Sequence, residues 1–161
     1  MQELQGRNAL VTGGSGGIGV HIARALAGAE MNVVVSGRRE DVLASVVDDI
    51  RGRGVRAEAV TADLAVRERV ESLIGQAEAA IGPLDVLVNN AGVELTSSFT
   101  KLSPDELSSL VDVNLTAPML LTRAVLPGML ERGRGHVVFI SSVAGKAGPA
   151  YDAPYAATKA G

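Results

Sequence analysis

Residues Leu10–Gly19 read LVTGGSGGIG, an apolar run that breaks into closely spaced glycines and then opens a helical pattern. A glycine-rich turn from strand to helix lets the backbone approach a pyrophosphate, and the free N–H groups and dipole at the helix start favour the negative charge. A plain structural turn explains the same letters equally well, so the surrounding sequence has to decide. A phosphate loop of the Walker type is excluded, because Ile18 and Gly19 stand where Lys and Ser or Thr are needed. The letters also fit G-x-S-x-G, which would make Ser15 a hydrolase nucleophile with Asp63 or Asp112 as acid and His136 as base. That reading puts the elbow after the very first strand and leaves Tyr155 and Lys159 without a role.

Outward from the loop, short apolar runs rich in β-branched residues recur as NALVT, NVVVS, VRAEAV, LDVLVN and HVVFIS. Their composition suits strands buried on both faces. Segments with helical spacing lie between them. IGVHIARALAGAE aligns Ile18, Ile22, Ala25, Leu26 and Ala29, and DVLASVVDDI aligns Val42, Leu43, Val46 and Ile50. Such alternation predicts an α/β fold, a doubly wound parallel sheet with helices on both faces and right-handed crossovers. LSPDELSSL begins the longest helix, with Ser103 as N-cap, Pro104 at the first helical position and Glu106 completing a capping box. Pro118 is expected to kink that helix. With no linker or low-complexity tract, residues 1–161 read as one dinucleotide-binding domain.

Composition narrows the function further. Hydrophobic residues make up 47 % of the chain but aromatics only 2 %, so the core must be aliphatic. The net charge of -3 and the scarcity of stacking rings leave no basic track, and no nucleic-acid partner is expected. The absence of cysteine removes disulfides and thiol catalysis, and His21 and His136 alone make no imidazole cluster, so no metal site is expected. MQELQGR leads into the first apolar run without a long hydrophobic stretch, so a cytoplasmic location with no membrane association is the expectation.

Further motifs follow in order: ADL with Asp63, NNAG from Asn89 to Gly92, Asn114 in the long helix, ISS at the end of the fifth strand, and YAATK. Together with TGGSGGIG this ordered set resembles the short-chain dehydrogenase/reductase family along essentially the whole chain, nearest in look to the 3-oxoacyl-acyl-carrier-protein reductases. The resemblance implies a Rossmann-type fold and an oxidoreductase that moves a hydride between a nicotinamide cofactor and a carbonyl or alcohol, with 3-oxoacyl thioesters and fatty acid biosynthesis as the nearest case. It implies that Gly13, Gly14, Ser15, Gly16, Gly17, Ile18 and Gly19 hold the pyrophosphate, that Asp63 and Leu64 contact the adenine, and that Asn90 and Gly92 line the ribose. Helix capping by Asp63 and a structural turn at NNAG are the competing readings. A homo-oligomer is also expected by resemblance.

The end of the second strand, VVVSGRRE, selects the cofactor. NAD-selecting enzymes place an acidic residue there, whereas arginine accommodates a 2′-phosphate. Ser36, Gly37, Arg38 and Arg39 therefore predict NADP (NADPH) over NAD, with Arg38 as the main contact. Relatives that select NADP often carry a basic residue inside the glycine loop as well, where this chain has Gly16.

By resemblance, Tyr155 protonates the carbonyl oxygen, Ser142 hydrogen-bonds it, Lys159 also binds the nicotinamide ribose, and Asn114 holds a water in a proton relay. Ser141 and Ser142 are both candidates, and the family's serine-to-tyrosine interval selects Ser142. Tyr155 and Lys159 are four apart and share one face of a helix. An ammonium about 4 Å from a phenol, at an effective dielectric near 20, stabilises the phenolate by about 4 kcal/mol. Lysine is thus the electrostatic partner rather than the acid.

Only two residues follow Lys159, whereas the family continues into a sixth strand and substrate-capping helices. Read as a truncated chain, it would leave HVVFIS as an exposed apolar edge prone to association, with Lys159 in a fraying turn. A catalytically incompetent nucleotide-binding fragment is then the alternative to a working reductase.

Overall fold

A computed structural model describes residues 3–161. Five strands form one parallel sheet: β1 (Asn8–Thr12), β2 (Asn32–Gly37), β3 (Ala57–Thr61), β4 (Val86–Asn89) and β5 (His136–Phe139). Their spatial order is β3-β2-β1-β4-β5, one of the orders of the doubly wound fold that the alternating pattern predicts. Helices α1 (Gly17–Gly28), α2 (Glu40–Arg51) and α3 (Arg67–Ile81) make the first three crossovers. The fourth is a long helix built from α4 (Pro104–Val111), a π-helical turn over Asp112–Thr116, and α5 (Ala117–Glu131). Two short helices, α6 (Ala144–Ala147) and α7 (Ala153–Ala160), follow β5.

Period-two alternation splits the core into two layers. Ala9, Val11, Val33 and Val35 face α1 and α2, while Leu10, Val34 and Leu87 face α3 and α5. Leu10, Leu73, Leu87 and Leu121 are fully buried, each stabilising the fold by about 1.5–3 kcal/mol.

Helix α2 buries Leu43, Val46 and Ile50 as its spacing predicts, with Val47 added and Val42 only half-buried. Helix α1 departs from expectation. It buries Gly19, Ala23 and Ala27, whereas Ile18 is 61 % exposed and Ile22 and Leu26 are half-buried. Small side chains let this helix lie close to the strands, and close approach outweighs the hydrophobicity of the neighbouring stripe.

The capping box is present: the Ser103 hydroxyl accepts from Glu106 N–H and the Glu106 carboxylate accepts from Ser103 N–H. The irregularity expected at Pro118 lies just before it, over Asp112–Thr116, where the N–H of Ala117 reaches back to the Asp112 carbonyl. Pro118 itself sits in the first turn of α5, a position that tolerates proline. The helix Pro104–Glu131 is long and apolar enough to span a membrane, yet it packs Leu110, Val113, Leu121, Val125 and Met129 into the core. At the sheet edge, Val138 and Phe139 of β5 are 41 % and 55 % exposed.

Candidate active site

Parallel strands deliver their C-terminal ends, and the loops that follow, to one edge of the sheet. A cleft of about 760 Å³ opens there, within the range of cofactor sites. It is lined from Arg38 and Asp63, past the glycine loop, to Ser142, Tyr155 and Lys159.

At Gly13, Gly14 and Gly19 the loop is packed too closely for a side chain. Gly13 has φ +67°, and a Cβ there would lie 2.8 Å from the Ala91 Cα. A Cβ on Gly19 would come within 2.2 Å of the Gly13 carbonyl oxygen. Gly16 caps α1 without any side-chain oxygen, so the first-turn N–H groups keep their capacity for an anion. Of the loop, Gly13, Ser15, Gly16, Gly17 and Ile18 line the cleft, while Gly14 is buried against Val35 and Gly19 against the loop's own backbone.

Thr12, which the motif reading passed over as a binding residue, ties this loop to the turn after β4. Its buried hydroxyl donates to the Val88 carbonyl at 3.3 Å and accepts from the N–H groups of Asn90 and Ala91, each at 3.1 Å. Asn90 completes the tie, donating from Nδ2 to the carbonyls of Thr12 and Gly13 at 2.9 and 3.3 Å. Its side chain is committed to the loop, although Asn90 and Gly92 both line the cleft.

At the far end, Asp63 and Leu64 line the cleft. Asp63 Oδ1 accepts from Ala65 N–H at 3.0 Å, so the local turn and the cleft share this carboxylate. Both arginines reach the cleft, but they differ in commitment. Arg39 donates from Nη2 to the Ser15 carbonyl at 2.6 Å, and a Cβ on Gly16 would approach that nitrogen to 3.2 Å. Among the described residues, no hydrogen bond or ion pair engages the Arg38 guanidinium.

Tyr155 and Lys159 lie on α7, with Lys159 Nζ 5.9 Å from the Tyr155 ring centroid. Lys159 is tied down at both ends rather than frayed: Nζ donates to the Ile140 carbonyl at 3.0 Å, and its own carbonyl accepts from Ser141 Oγ at 2.8 Å. Burial of the ammonium lowers its pKa below the ordinary lysine value. The two serines separate on the same grounds. Ser141 spends its proton on Lys159, whereas Ser142 Oγ accepts from Ala144 N–H at 3.2 Å and so keeps its own proton to donate.

Asn114 is buried, and its side chain is fully spent. Oδ1 accepts from Val93 N–H at 2.8 Å, and Nδ2 donates to the Val93 carbonyl at 2.8 Å and to Thr158 Oγ1 at 3.0 Å. Its main-chain carbonyl is a different matter. The α-helical donor to that oxygen would be residue 118, and Pro118 has no N–H. Gly92 packs where a Cβ would lie 3.3 Å from both Asn114 Oδ1 and Lys159 Nζ.

The hydrolase reading is corrected by topology. His136 starts β5 and pairs with Val86 at the opposite edge of the sheet from Ser15, a strand length of roughly 10 Å or more away. Among the described residues, no three His, Asp or Glu side chains converge on a metal-sized site.

A parallel sheet in this order with a glycine turn after β1 defines a doubly wound fold of the dinucleotide-binding class, and it carries a Ser, Tyr and Lys set after β5. The chain belongs to the short chain dehydrogenase family, whose sequence profile matches residues 7–161. It is 43 % identical over its whole length to the ketoacyl reductase HetN of Nostoc, covering 56 % of that protein. A 3-oxoacyl (acyl-carrier-protein) reductase from Agrobacterium tumefaciens, crystallised with NADP bound, superimposes with a TM-score of 0.92 at 38 % identity, over 98 % of this chain and 60 % of that one. A variant of actinorhodin polyketide ketoreductase with NADPH gives a TM-score of 0.91 at 39 % identity, over 100 % of this chain and 62 % of that one. The chain thus spans a little over half the length of these relatives.

Proposed function

We propose that these residues form the cofactor and catalytic part of an NADPH-dependent reductase acting on a carbonyl, with 3-oxoacyl thioesters as the substrate class. The observation that carries this reading is the continuity of one cleft from Arg38 to Ser142, Tyr155 and Lys159. NADP-bound and NADPH-bound relatives and ketoacyl reductases among the similar proteins support it.

The residues fit the cofactor. The glycine backbone and the uncapped start of α1 would hold the pyrophosphate, Asp63 and Leu64 the adenine end, and Gly92 with Lys159 the nicotinamide ribose. Arg38, without an internal partner among the described residues, would take the 2′-phosphate through charge-assisted hydrogen bonds. When bound, the reduced nicotinamide supplies a hydride.

Ser142 Oγ then donates to the substrate carbonyl oxygen, and Tyr155 Oη gives that oxygen its proton, so the product is an alcohol. The Lys159 ammonium stabilises the phenolate left behind. Taking the 5.9 Å to the ring as the separation, with an effective dielectric near 20, this amounts to about 3 kcal/mol. The Asn114 carbonyl, whose α-helical donor is removed by Pro118, would hold a water that returns a proton to the site from solvent.

The test is NADPH oxidation by the full-length protein with and without a 3-oxoacyl thioester. Tyr155→Phe is expected to retain NADPH binding and to lose at least about a thousandfold in turnover, since it removes the proton donor together with the anion that Lys159 supports. Full turnover by Tyr155→Phe would end this reading. NADPH binding by the unsubstituted protein without any carbonyl-dependent oxidation would favour a nucleotide-binding role instead.

A further inference from the structure

The proposed reaction needs Ser142 and Tyr155 to reach one substrate oxygen, yet the two stand on different elements: Ser142 follows β5 and Tyr155 lies in α7. What fixes one against the other is part of the catalytic geometry, since a misplacement of about 1 Å can cost about a hundredfold in rate. Among the described residues, two hydrogen bonds join the segment after β5 to α7, and both end at Lys159. Ile140 offers its carbonyl to Nζ at 3.0 Å, and Ser141 donates its hydroxyl to the Lys159 carbonyl at 2.8 Å.

Helix α6 closes on the same peptide. A Cβ on Gly145 would lie 2.5 Å from the Lys159 carbonyl oxygen and 2.9 Å from Ala160 N, so only glycine fits there without moving α7. A carbonyl oxygen has two lone pairs, and Ser141 can hold this one whether or not it also serves the helix. Of the two hydrogen bonds, the one from Ser141 is the one a substitution can remove while leaving Ser142, Tyr155 and Lys159 in place.

We infer that Ser141 is a positioning residue, acting through the Lys159 main chain to hold α7, and with it the Tyr155 hydroxyl, against Ser142. The inference rests on the reductase reading and adds to it a residue whose proton goes to the protein rather than to the substrate. Adjacent serines thereby divide the work, one meeting the carbonyl and the other supporting the helix that carries the acid.

The experiment uses the full-length protein, NADPH and the N-acetylcysteamine thioester of 3-oxobutanoic acid. Ser141→Ala is expected to lower kcat about tenfold while KM for NADPH stays within about twofold of the parent, because the lost bond serves alignment rather than cofactor binding. The thermal midpoint should stay nearly level. Ser141→Thr keeps a hydroxyl and should restore most of kcat. Gly145→Ala, pressed against the same carbonyl from α6, should lower kcat in the same way, with circular dichroism showing the fold intact. Undiminished kcat in Ser141→Ala, or a Ser141→Thr as impaired as the alanine variant, overturns the inference and leaves the reductase reading standing. If the unsubstituted protein fails to reduce the thioester while binding NADPH, the reductase reading fails and takes this inference with it.

Discussion

Asn114→Ala should destabilise the protein far more than its place on a helix would indicate. The substitution removes three hydrogen bonds and leaves both the N–H and the carbonyl of Val93 without the partners they have now. A fully buried backbone group left unpaired costs about 1–3 kcal/mol, and Val93 is part-buried, so the loss should be about 2–4 kcal/mol, a large share of the ~5–15 kcal/mol that holds a typical domain together. Thr158→Val gives a smaller comparison, since it removes two hydrogen bonds, the one from Asn114 and the one to the Tyr155 carbonyl, and should cost about 1–2 kcal/mol. Urea unfolding at constant m-value reads both. NADPH affinity should fall in parallel for Asn114→Ala, because the Gly92–Val93 backbone forms one wall of the cleft. A loss below about 1 kcal/mol in Asn114→Ala would refute the reasoning, since it would mean that Val93 finds water or other partners at no cost.

Other outcomes follow from the same geometry. Arg38→Ala should weaken NADPH binding by about 10- to 100-fold, the worth of a charge-assisted bond to phosphate, while leaving NADH binding nearly unchanged in fluorescence titrations. Gly19→Ala forces a Cβ toward the Gly13 carbonyl and should lower NADPH affinity at least about tenfold, with circular dichroism showing the fold intact. Burial alone would raise the pKa of Asp85, but the hydrogen bond from Arg134, the N–H of Asn8 and the charges of Arg134 and Arg7 together bring it below the ordinary value. Its contribution is therefore present above the unfolded value near 4 and lost as pH falls through the lower folded value, so the stability gap between the parent and Asp85→Asn should shrink as pH falls below about 4. Lys159 has the same sign at higher pH, as a burial cost relieved rather than a favourable interaction gained. Burial lowers its folded pKa, so the unfolded chain holds the proton to higher pH, and stability should rise with pH between that lowered value and about 10 in a way that Lys159→Met abolishes.

Local chemistry was legible in the sequence wherever neighbours along the chain decide the outcome. Ser103, Pro104 and Glu106 specify a helix start within four residues, and the structure forms it as spelled. Strand alternation likewise predicts a parallel sheet covered by helices, because parallel connections must cross over a face. The helix after the glycine loop was misread, since hydrophobicity points to Ile18 and Leu26 while close packing selects Gly19, Ala23 and Ala27. Side-chain commitments across long separations were also out of reach. That Asn114 spends its amide on Val93, that Thr12 bridges to Asn90 and Ala91, and that Arg39 rather than Arg38 grips the loop all depend on which segments meet in space.

The widened turn at Asp112–Thr116 acts as a phase shifter in the longest helix. One more residue per turn rotates everything upstream by about 100° relative to everything downstream. Leu110 and Val113 on one side and Leu121, Val125 and Met129 on the other thereby reach the same layer of the core, with Asn114 aimed at Val93 between them. A single-residue deletion anywhere in that turn would let the helix run smoothly and would swing the asparagine off its target. The site's geometry therefore depends on a count of residues as much as on their identity, and single-codon deletions there should be tolerated worse than most substitutions.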